Sequence, residues 1–298
     1  GPNAVLGLLN NYGFNKIQIA KLVEKHPRVL LADAENNLLP KLKFLRSIGF
    51  SNTDMPKTLI ANHSLKRSLK KFFIPRYEIL RRVLGDDQEV VRAIAYSQFC
   101  FNYGDTMNLV PNVEVLRQSG VPQTSISFMM IHYGTVADWK HSRFVEAVNT
   151  AKEIGFNPLR TYFIEAIKML LINSKAVWES RFEVFERWGW NREMSLRAFR
   201  KFPNVMGLSE EVFTKKMNFL VNDMGWPSED IAEYPQVVAY NLEKRIIPRF
   251  SVIKILKSKG LLENNALSSI ICITEEKLLE KFVTSLQKDL PVLPDVYR

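Results

Sequence analysis

Apolar residues recur at helical spacing along the chain, and short polar or glycine-containing breaks separate the apolar stretches. Residues Ile17, Ala20, Leu22 and Val23 illustrate this spacing near the N-terminus. Runs rich in β-branched residues, which would indicate strands, are absent from the sequence. The pattern therefore predicts helices throughout the chain.

Eight of the 13 glycines are regularly spaced, with successive intervals of 36, 36, 35, 35, 34, 36 and 35 residues. These grid glycines are Gly13, Gly49, Gly85, Gly120, Gly155, Gly189, Gly225 and Gly260. An apolar residue follows each of them except Gly85, which precedes Asp86. A glycine in the left-handed conformation ends a helix, and the apolar residue beyond it packs back onto the last turn. The glycines therefore predict a repeated helix stop.

Helix-start and helix-end signals lie between the grid glycines. The segments SNTD at 51–54, NP at 157–158 and PSED at 227–230 follow a stop and offer side-chain oxygens to a new first turn. The first helix is expected to end at an aromatic or histidine residue followed by proline, as in His26-Pro27, Phe202-Pro203 and Tyr234-Pro235. A second helix is expected to begin near Pro40, Pro75, Pro111 and Pro248.

The predicted fold is all-α, with right-angled helix-hairpin repeats of about 35 residues stacked into a superhelical solenoid. One solenoid of about eight repeats is expected over residues 3–285, with a C-terminal tail at 286–298. A two-domain α-helical bundle is the alternative. Gly1 and Pro2 resemble the remnant of a cleaved tag, so we expect that any targeting peptide has been removed.

Composition narrows the class of protein. The net charge is +10 and the isoelectric point is near 9.5, which suggests a polyanionic partner, although a basic solvated surface would give the same numbers. No apolar run is long enough to span a bilayer, so no membrane partner is expected. Cys100 and Cys272 are too few for a disulfide framework or a zinc site, and both are expected to be small buried residues.

The basic residues are concentrated in two segments. Residues 66–82 contain seven Lys or Arg and one Glu, and residues 244–259 contain six Lys or Arg and no acid. Residues 86–139 between them contain two arginines, Arg92 and Arg117, against six acids. Because like charges repel unless a counter-surface is present, the clustering favours phosphate contacts over a merely solvated helix face.

The candidate nucleic-acid-binding residues are drawn from these segments and from a third stripe near residue 200. They are Lys66, Arg67, Lys70, Lys71, Arg76, Arg81, Arg82, Arg197, Arg200, Lys201, Lys215, Lys216, Lys244, Arg245, Arg249, Lys254 and Lys257. Tyr77 and Phe250 lie among them and are candidates for base stacking. Most other aromatic residues are expected in the repeat core.

The sequence shows no catalytic constellation, metal-ligand motif or phosphate-binding glycine loop, so neither an enzyme nor a cofactor is expected. His26, His63 and His132 follow their glycines by 12 to 14 residues, where Phe202 also lies, and are interpreted as packing residues. The acidic pairs Asp86-Asp87 and Glu275-Glu276 are interpreted as helix starts.

The repeat resembles that of the mitochondrial transcription termination factor family, mTERF. The similar segments are IAKLVEKHPRVLLADAENNLLPKLKFLRSIGFSNTD at 19–54 and DIAEYPQVVAYNLEKRIIPRFSVIKILKSKG at 230–260, and the resemblance covers about residues 13–285. SIICITEEKLLEKFV at 269–283 is similar to plant members in particular. Ser64 replaces the first proline of the second repeat, and both prolines are missing from the fourth and fifth repeats.

The resemblance implies a half-doughnut-shaped solenoid whose inner groove binds double-stranded DNA or structured RNA. It also implies a role in organelle gene expression through transcription termination, RNA splicing or RNA stability. A mitochondrial location is expected, with the chloroplast as the alternative, and the protein is expected to be a monomer. The competing hypothesis is a scaffold for organellar splicing or transcription proteins, which would dock on the 86–139 segment near Tyr103 and Trp139.

Overall fold

The computed structural model describes residues 1–61, 63–96, 107–262 and 270–297, and all regular structure in these ranges is helical. Two compact units are formed. The first comprises Gly1–Lys152 with Asn157–Leu171, and the second comprises Glu153–Phe156 with Ile172–Arg298. The all-α helical-repeat prediction is confirmed.

The α-helices are α1 Pro2–Asn11, α2 Lys16–Lys25, α3 Leu39–Ser47, α4 Asp54–Ala61, α5 Ile74–Leu84, α6 Asp87–Tyr96, α7 Leu109–Gln118, α8 Gln123–His132, α9 Gly134–Ala137, α10 His141–Ile154, α11 Thr161–Ile172, α12 Lys175–Arg187, α13 Arg192–Lys201, α14 Glu210–Met217, α15 Ser228–Glu233, α16 Ile247–Ser258, α17 Glu275–Leu278 and α18 Leu293–Tyr297. Short 3-10 helices occupy Pro27–Leu31, His63–Lys66, Pro203–Gly207 and Pro235–Ala239. Single π-helical turns occupy Ala34–Leu38, Leu69–Phe73, Asn218–Asp223, Leu242–Ile246 and Leu279–Thr284.

The predicted glycine stops are confirmed. All eight grid glycines have a positive φ, between 67° and 110°. After Gly13 the N–H of Phe14 donates to the carbonyl of Leu9 at 3.1 Å, the long-range bond of a Schellman motif, and the Phe14 side chain is buried. Gly85, the one without an apolar successor, instead donates its own N–H to the carbonyl of Arg81 at 2.8 Å. This simpler bond closes the helix without an apolar contact.

The predicted helix starts are confirmed in two of three places. Ser51 Oγ accepts the N–H of Asp54 at 3.0 Å, and Asn157 Oδ1 accepts that of Leu159 at 3.0 Å. Ser228 was expected to cap a helix but has another role. Its hydroxyl donates to the carbonyl of Trp188 at 2.6 Å and accepts from the Trp190 indole N–H at 2.9 Å. It therefore joins two successive repeats.

The first helix of a repeat ends before proline as predicted, but the segment that follows is not a simple turn. Helices α2, α13 and α15 end at Lys25, Lys201 and Glu233, and the proline two residues later begins a 3-10 helix. Proline is well suited to the first helical position because its missing N–H is not needed there. Each of these repeats therefore contains a long helix, a 3-10 helix and a second long helix.

The second helix begins before its proline rather than at it. In the first repeat Asp33 caps the helix by accepting the N–H groups of Glu35 and Asn36, and a π-helical turn precedes Pro40. A proline ring inside a regular α-helix clashes with the carbonyl four residues earlier. A wider π-helical turn avoids this clash, and the same turn precedes Pro75 and Pro248.

Buried polar side chains connect successive repeats, and the sequence analysis did not identify this role. Four of them, the inter-repeat donors, occur 24 to 28 residues after a grid glycine: Lys41, Asn112, Lys216 and Arg249. Lys41 Nζ donates to the carbonyl of Leu65 at 2.6 Å, and Lys216 Nζ donates to that of Val238 at 2.7 Å. Asn112 Nδ2 donates to the carbonyl of Ala137 at 2.9 Å.

The accepting carbonyls belong to the short helix of the following repeat. Carbonyls at the end of a helix lack partners within that helix, so a buried donor from the preceding repeat satisfies them. Arg249 has the most such bonds, because its Nη1 donates to Ile270, Ile271 and Ile273 at 2.9, 3.0 and 2.5 Å. Burial lowers the pKa of both Lys41 and Lys216.

The C-terminal residues, expected as a tail, pack on the second unit. Leu290 and Leu293 are buried, and helix α18 lies against α16. Burial, together with a hydrogen bond to Glu275, raises the pKa of Tyr297 to about 12. Glu275 is also 3.1 Å from the Nη2 atom of Arg249. The segment therefore extends the packed structure beyond residue 285.

Candidate nucleic-acid interface

The most exposed group of neighbouring cations lies in the second repeat. Lys66 ends a 3-10 helix, and Lys70 and Lys71 lie in the first turn of the next helix, which Ser68 caps by accepting the N–H of Lys71 at 3.2 Å. Lys66, Arg67, Lys70 and Lys71, hereafter the 66–71 cluster, are all exposed, and none is paired with a carboxylate within the described residues. The sequence prediction of a basic patch here matches their exposure.

The helix start makes these cations electrostatically unusual. The N-terminus of a helix carries a partial positive charge, so acidic residues stabilise it and lysines do not. The corresponding first turns elsewhere in the chain are acidic, with Glu35, Glu210–Glu211 and Glu275–Glu276. The lysines of the 66–71 cluster therefore add positive charge to a site that is already positive.

Three of the predicted contact residues are buried, which corrects the sequence interpretation. Arg76, Lys216 and Arg249 are 6%, 9% and 0% exposed, so they cannot present a charge to a nucleic-acid backbone. Lys216 and Arg249 are inter-repeat donors, and Arg76 occupies the same place in its repeat, 27 residues after Gly49. Its guanidinium also lies 4.8 Å above the ring of Phe72.

Five more predicted residues form ion pairs with carboxylates of the chain. Arg197 and Lys201 both contact Glu233, at 2.8 and 2.5 Å. The other pairs are Arg81 with Asp87 at 2.8 Å, Arg200 with Glu193 at 3.1 Å and Lys215 with Glu243 at 2.6 Å. The hydrogen bond from Lys201, with a second from Arg197, lowers the pKa of Glu233. The predicted stripe near residue 200 is thus largely neutralised within the protein.

Arg245 is half-buried and connects repeats. Its guanidinium lies 3.7 Å above the ring of Tyr240, and its Nη2 atom donates to the carbonyl of Ile273 at 2.9 Å. Lys244, Lys254 and Lys257, hereafter the 244–257 lysines, are exposed and have no carboxylate partner in the described part of the chain. Arg82 is likewise exposed, and it lies in the last turn of α5, where a cation is favourable for the helix.

The two candidate stacking residues pack within the protein. The ring of Tyr77 meets that of Phe44 edge to face at 5.6 Å, and its hydroxyl donates to Asp87 at 2.8 Å, which raises its pKa. Phe250 meets Phe219 edge to face at 5.6 Å. Both side chains are only partly exposed. Their position among cations is explained by core packing at the repeat edges.

The alternative docking segment is only partly described. Tyr103 and Asp105 lie outside the described residues. Trp139 is half-buried, and its carbonyl accepts from Asn112 Nδ2 at 2.8 Å. Arg92 and Arg117 are exposed, with Arg92 paired to Glu89 at 2.7 Å and Arg117 donating to the carbonyl of Val83 at 3.0 Å.

The histidines differ in burial. His26 is half-buried with Nε2 3.3 Å from the carbonyl of Ile60, whereas His132 is exposed, with its ring centre 4.7 Å from that of Phe128. The side chain of His63 and all of Cys100 lie outside the described residues. Cys272 was expected to be buried and is half-buried, and burial raises the pKa of its thiol.

No group of three or more His, Cys, Asp or Glu side chains that could hold a metal ion occurs among the described residues. Within the same residues, no helix has the length and apolar character needed to cross a membrane.

Comparison with known proteins agrees with the repeat architecture. Transcription termination factor MTERF15, mitochondrial, from Arabidopsis thaliana is 25% identical over 264 residues, which are 87% of this chain and 49% of that protein. Transcription termination factor MTERF8, chloroplastic, from the same plant is 18% identical over 258 residues, or 86% of this chain and 51% of that protein. The chain therefore spans about half the length of these relatives.

The profile of the mTERF family matches residues 6–171 and 161–279, and the second segment begins before the first ends. The match includes all eight grid glycines and the inter-repeat donors described above. With nearly the whole sequence covered, the chain belongs to the mTERF family.

Proposed function

We propose that this protein binds nucleic acid without chemical catalysis and acts in organelle gene expression. The 66–71 cluster and the 244–257 lysines would contact backbone phosphates of double-stranded DNA or structured RNA. Lysines that neutralise phosphates release condensed counterions, which gives the binding free energy a strong dependence on salt. Such contacts position a duplex and carry little sequence information.

The observation that carries this proposal is the 66–71 cluster. Its four cations are exposed, lack a described carboxylate partner, and include two lysines at a positively polarised helix start. The repulsion among them is offset when a polyanion binds. By contrast, the cations near residue 200 already have carboxylate partners.

Membership of the mTERF family and the names of the two relatives support a role in transcription termination, RNA splicing or RNA stability. One relative is named mitochondrial and the other chloroplastic. We place the protein in the mitochondrion, because the more similar of the two relatives is the mitochondrial one; the chloroplast is the alternative.

The test is binding of duplex DNA and of structured RNA across a salt series, for the wild type and for the K66Q/R67Q/K70Q/K71Q variant. We expect the variant to bind every sequence more weakly, with a salt slope reduced by roughly one per lost phosphate contact, hence by up to about three or four. The matched control, R197Q/R200Q/K201Q/K215Q, removes the same four charges from side chains that have ion-pair partners.

The control variant should change the salt slope by less than half as much. If neither variant changed the affinity or the slope, or if the wild type bound no nucleic acid at low salt, the proposal would be wrong. If the control alone abolished binding, the contact surface would lie near residue 200 instead.

A further inference from the structure

A cavity of about 460 Å³ opens in the first unit between the 3-10 helices Pro27–Leu31 and His63–Lys66. Its apolar lining includes Val29, Leu31, Leu38 and Leu65. Three cations, Lys25, Arg28 and Lys66, also line the cavity, and no acidic residue does so among the described side chains. The cavity thus combines an aliphatic lining with positive charge.

Leu31 is the notable residue of this cavity because 83% of it is exposed. The 3-10 helices that follow proline in the sixth and seventh repeats end at the same place with Gly207 and Ala239. A small residue is therefore sufficient for the repeat to fold. Its exposed apolar surface, beside an apolar cavity, is typical of an interaction site.

We propose that this cavity docks an acidic peptide segment of a partner protein, with one large apolar side chain inserted beside Leu31. The positive residues select the charge of the partner: carboxylates flanking the anchor residue would pair with Lys25 and Arg28, and with Lys66 where it remains available. Charge complementarity of this kind gives specificity and fast association, whereas the buried anchor gives most of the affinity.

The lining favours a peptide over a nucleotide base. Bases bind single-strand sites by stacking on aromatic rings or on guanidinium planes. Apart from the imidazole of His26, the described lining contains no aromatic ring. Leucine, valine and proline side chains offer apolar contact without a stacking face, which suits an aliphatic or phenylalanine anchor.

The test uses random 12-residue peptides displayed on phage and selected on the whole chain, with a parallel selection on the L31A/R28Q variant. These replacements copy Ala239 and Gln236, the residues at the same places in the seventh repeat, so the variant is expected to fold. The matched control is I17A/K16Q, which trims an exposed apolar residue and a cation of α2 outside the cavity.

We expect peptides enriched on the wild type and on the control, but not on L31A/R28Q, to carry Asp or Glu around a Leu, Ile or Phe. Fluorescence polarisation of the best peptide should show at least tenfold weaker binding to L31A/R28Q, and replacing its acids with Asn and Gln should weaken binding similarly. Single-stranded and duplex oligonucleotides should bind L31A and wild-type protein equally.

The proposal is overturned if no peptide distinguishes the wild type from L31A/R28Q, or if the distinguishing peptides have no net negative charge. It is also overturned if a single-stranded oligonucleotide displaces the peptide and itself binds tenfold more weakly to L31A, because the cavity would then be a nucleotide site. Loss of nucleic-acid binding by K66Q/R67Q/K70Q/K71Q is a separate result that does not depend on Leu31.

Discussion

At the scale of single residues, the place of a basic side chain within the repeat determines its role. A lysine or arginine 24 to 28 residues after a grid glycine is buried and donates to the next repeat, as Lys41, Lys216 and Arg249 do. A lysine near the start of the same helix, such as Lys70, is exposed. Net charge alone therefore overstates the surface available to a polyanion.

Arg249 gives the sharpest test of the buried role. Replacing it with methionine leaves the carbonyls of Ile270, Ile271 and Ile273 without the bonds they accept, in a site where Arg249 is 0% exposed. We expect the free energy of unfolding of the second unit to fall by about 3 kcal/mol or more. Urea denaturation measures this change.

The control for that substitution is Lys254→Met on the same helix, where the side chain is exposed. It should change the unfolding free energy by less than about 0.5 kcal/mol. Arg249→Lys, which keeps one donor group, should fall between the two. Equal effects of Arg249→Met and Lys254→Met would contradict a structural role for the buried guanidinium.

The pH dependence of stability tests the ion pairs near residue 200. The hydrogen bond from Lys201, followed by that from Arg197, holds the pKa of Glu233 below its usual value near 4.5. A lowered carboxyl pKa stabilises the folded state above the unfolded pKa, and this contribution disappears as the pH falls through the folded pKa. Stability should therefore decrease below about pH 4.5.

In Glu233→Gln this part of the acid dependence should be absent. The difference between variant and wild type at neutral pH should stay under about 1 kcal/mol, since the Glu233 side chain is 41% exposed and solvent screens the pair. Urea titrations at about pH 7 and about pH 3.5 measure both quantities. The hypothesis fails if the two proteins lose the same stability on acidification.

At the scale of elements, local signals predicted the helix ends, whereas the connecting segments depend on geometry that the sequence does not display. A glycine stop involves one backbone conformation and a bond within six residues, so Gly13 and Phe14 suffice to predict it. The 3-10 helix after Pro27 was missed because proline ends one helix and begins another with the same missing N–H.

Two glycine substitutions in the first unit separate backbone conformation from packing. Gly13 has φ +89°, and an added Cβ would lie 2.8 Å from the Cβ of Asn52 in the next repeat. Gly85 has φ +80° and no atom within 4 Å of that position. We expect Gly85→Ala to cost about 1–2 kcal/mol from the left-handed conformation alone, and Gly13→Ala to cost more.

Thermal or urea denaturation of the two variants gives the comparison. A larger loss for Gly13→Ala would show that close contact between the first two repeats, and not only a helix stop, requires glycine there. If the two alanine variants were equally stable, Asn52 would have moved aside without cost, and Gly13 would need glycine for its φ alone.

At the scale of the whole molecule, the sequence predicted where cations cluster but not which of them have partners. Lys66, Arg67, Lys70 and Lys71 lie within six residues of one another, so their clustering is visible in the sequence. Arg197 and Glu233 are 36 residues apart, one repeat length, and only the packing of successive repeats brings them to 2.8 Å. Burial of Arg249 likewise depends on the repeat that follows it.

The two remaining groups of cations predict how binding should respond to combined changes. If the 66–71 cluster and the 244–257 lysines contact the same nucleic acid, each releases its own counterions on binding, and the reductions in salt slope should add. The K244Q/K254Q/K257Q variant should lower the slope by up to about three. Combining it with K66Q/R67Q/K70Q/K71Q should lower the slope by the sum of the two separate reductions.

Salt titrations of the two partial variants and the combined variant on one duplex measure this additivity. A combined slope equal to that of the first variant alone would mean that the 244–257 lysines do not touch that duplex. Because the first unit contains one group and the second unit the other, such a result would assign phosphate binding to the first unit. An additive result would mean that both units take part in binding a single nucleic acid.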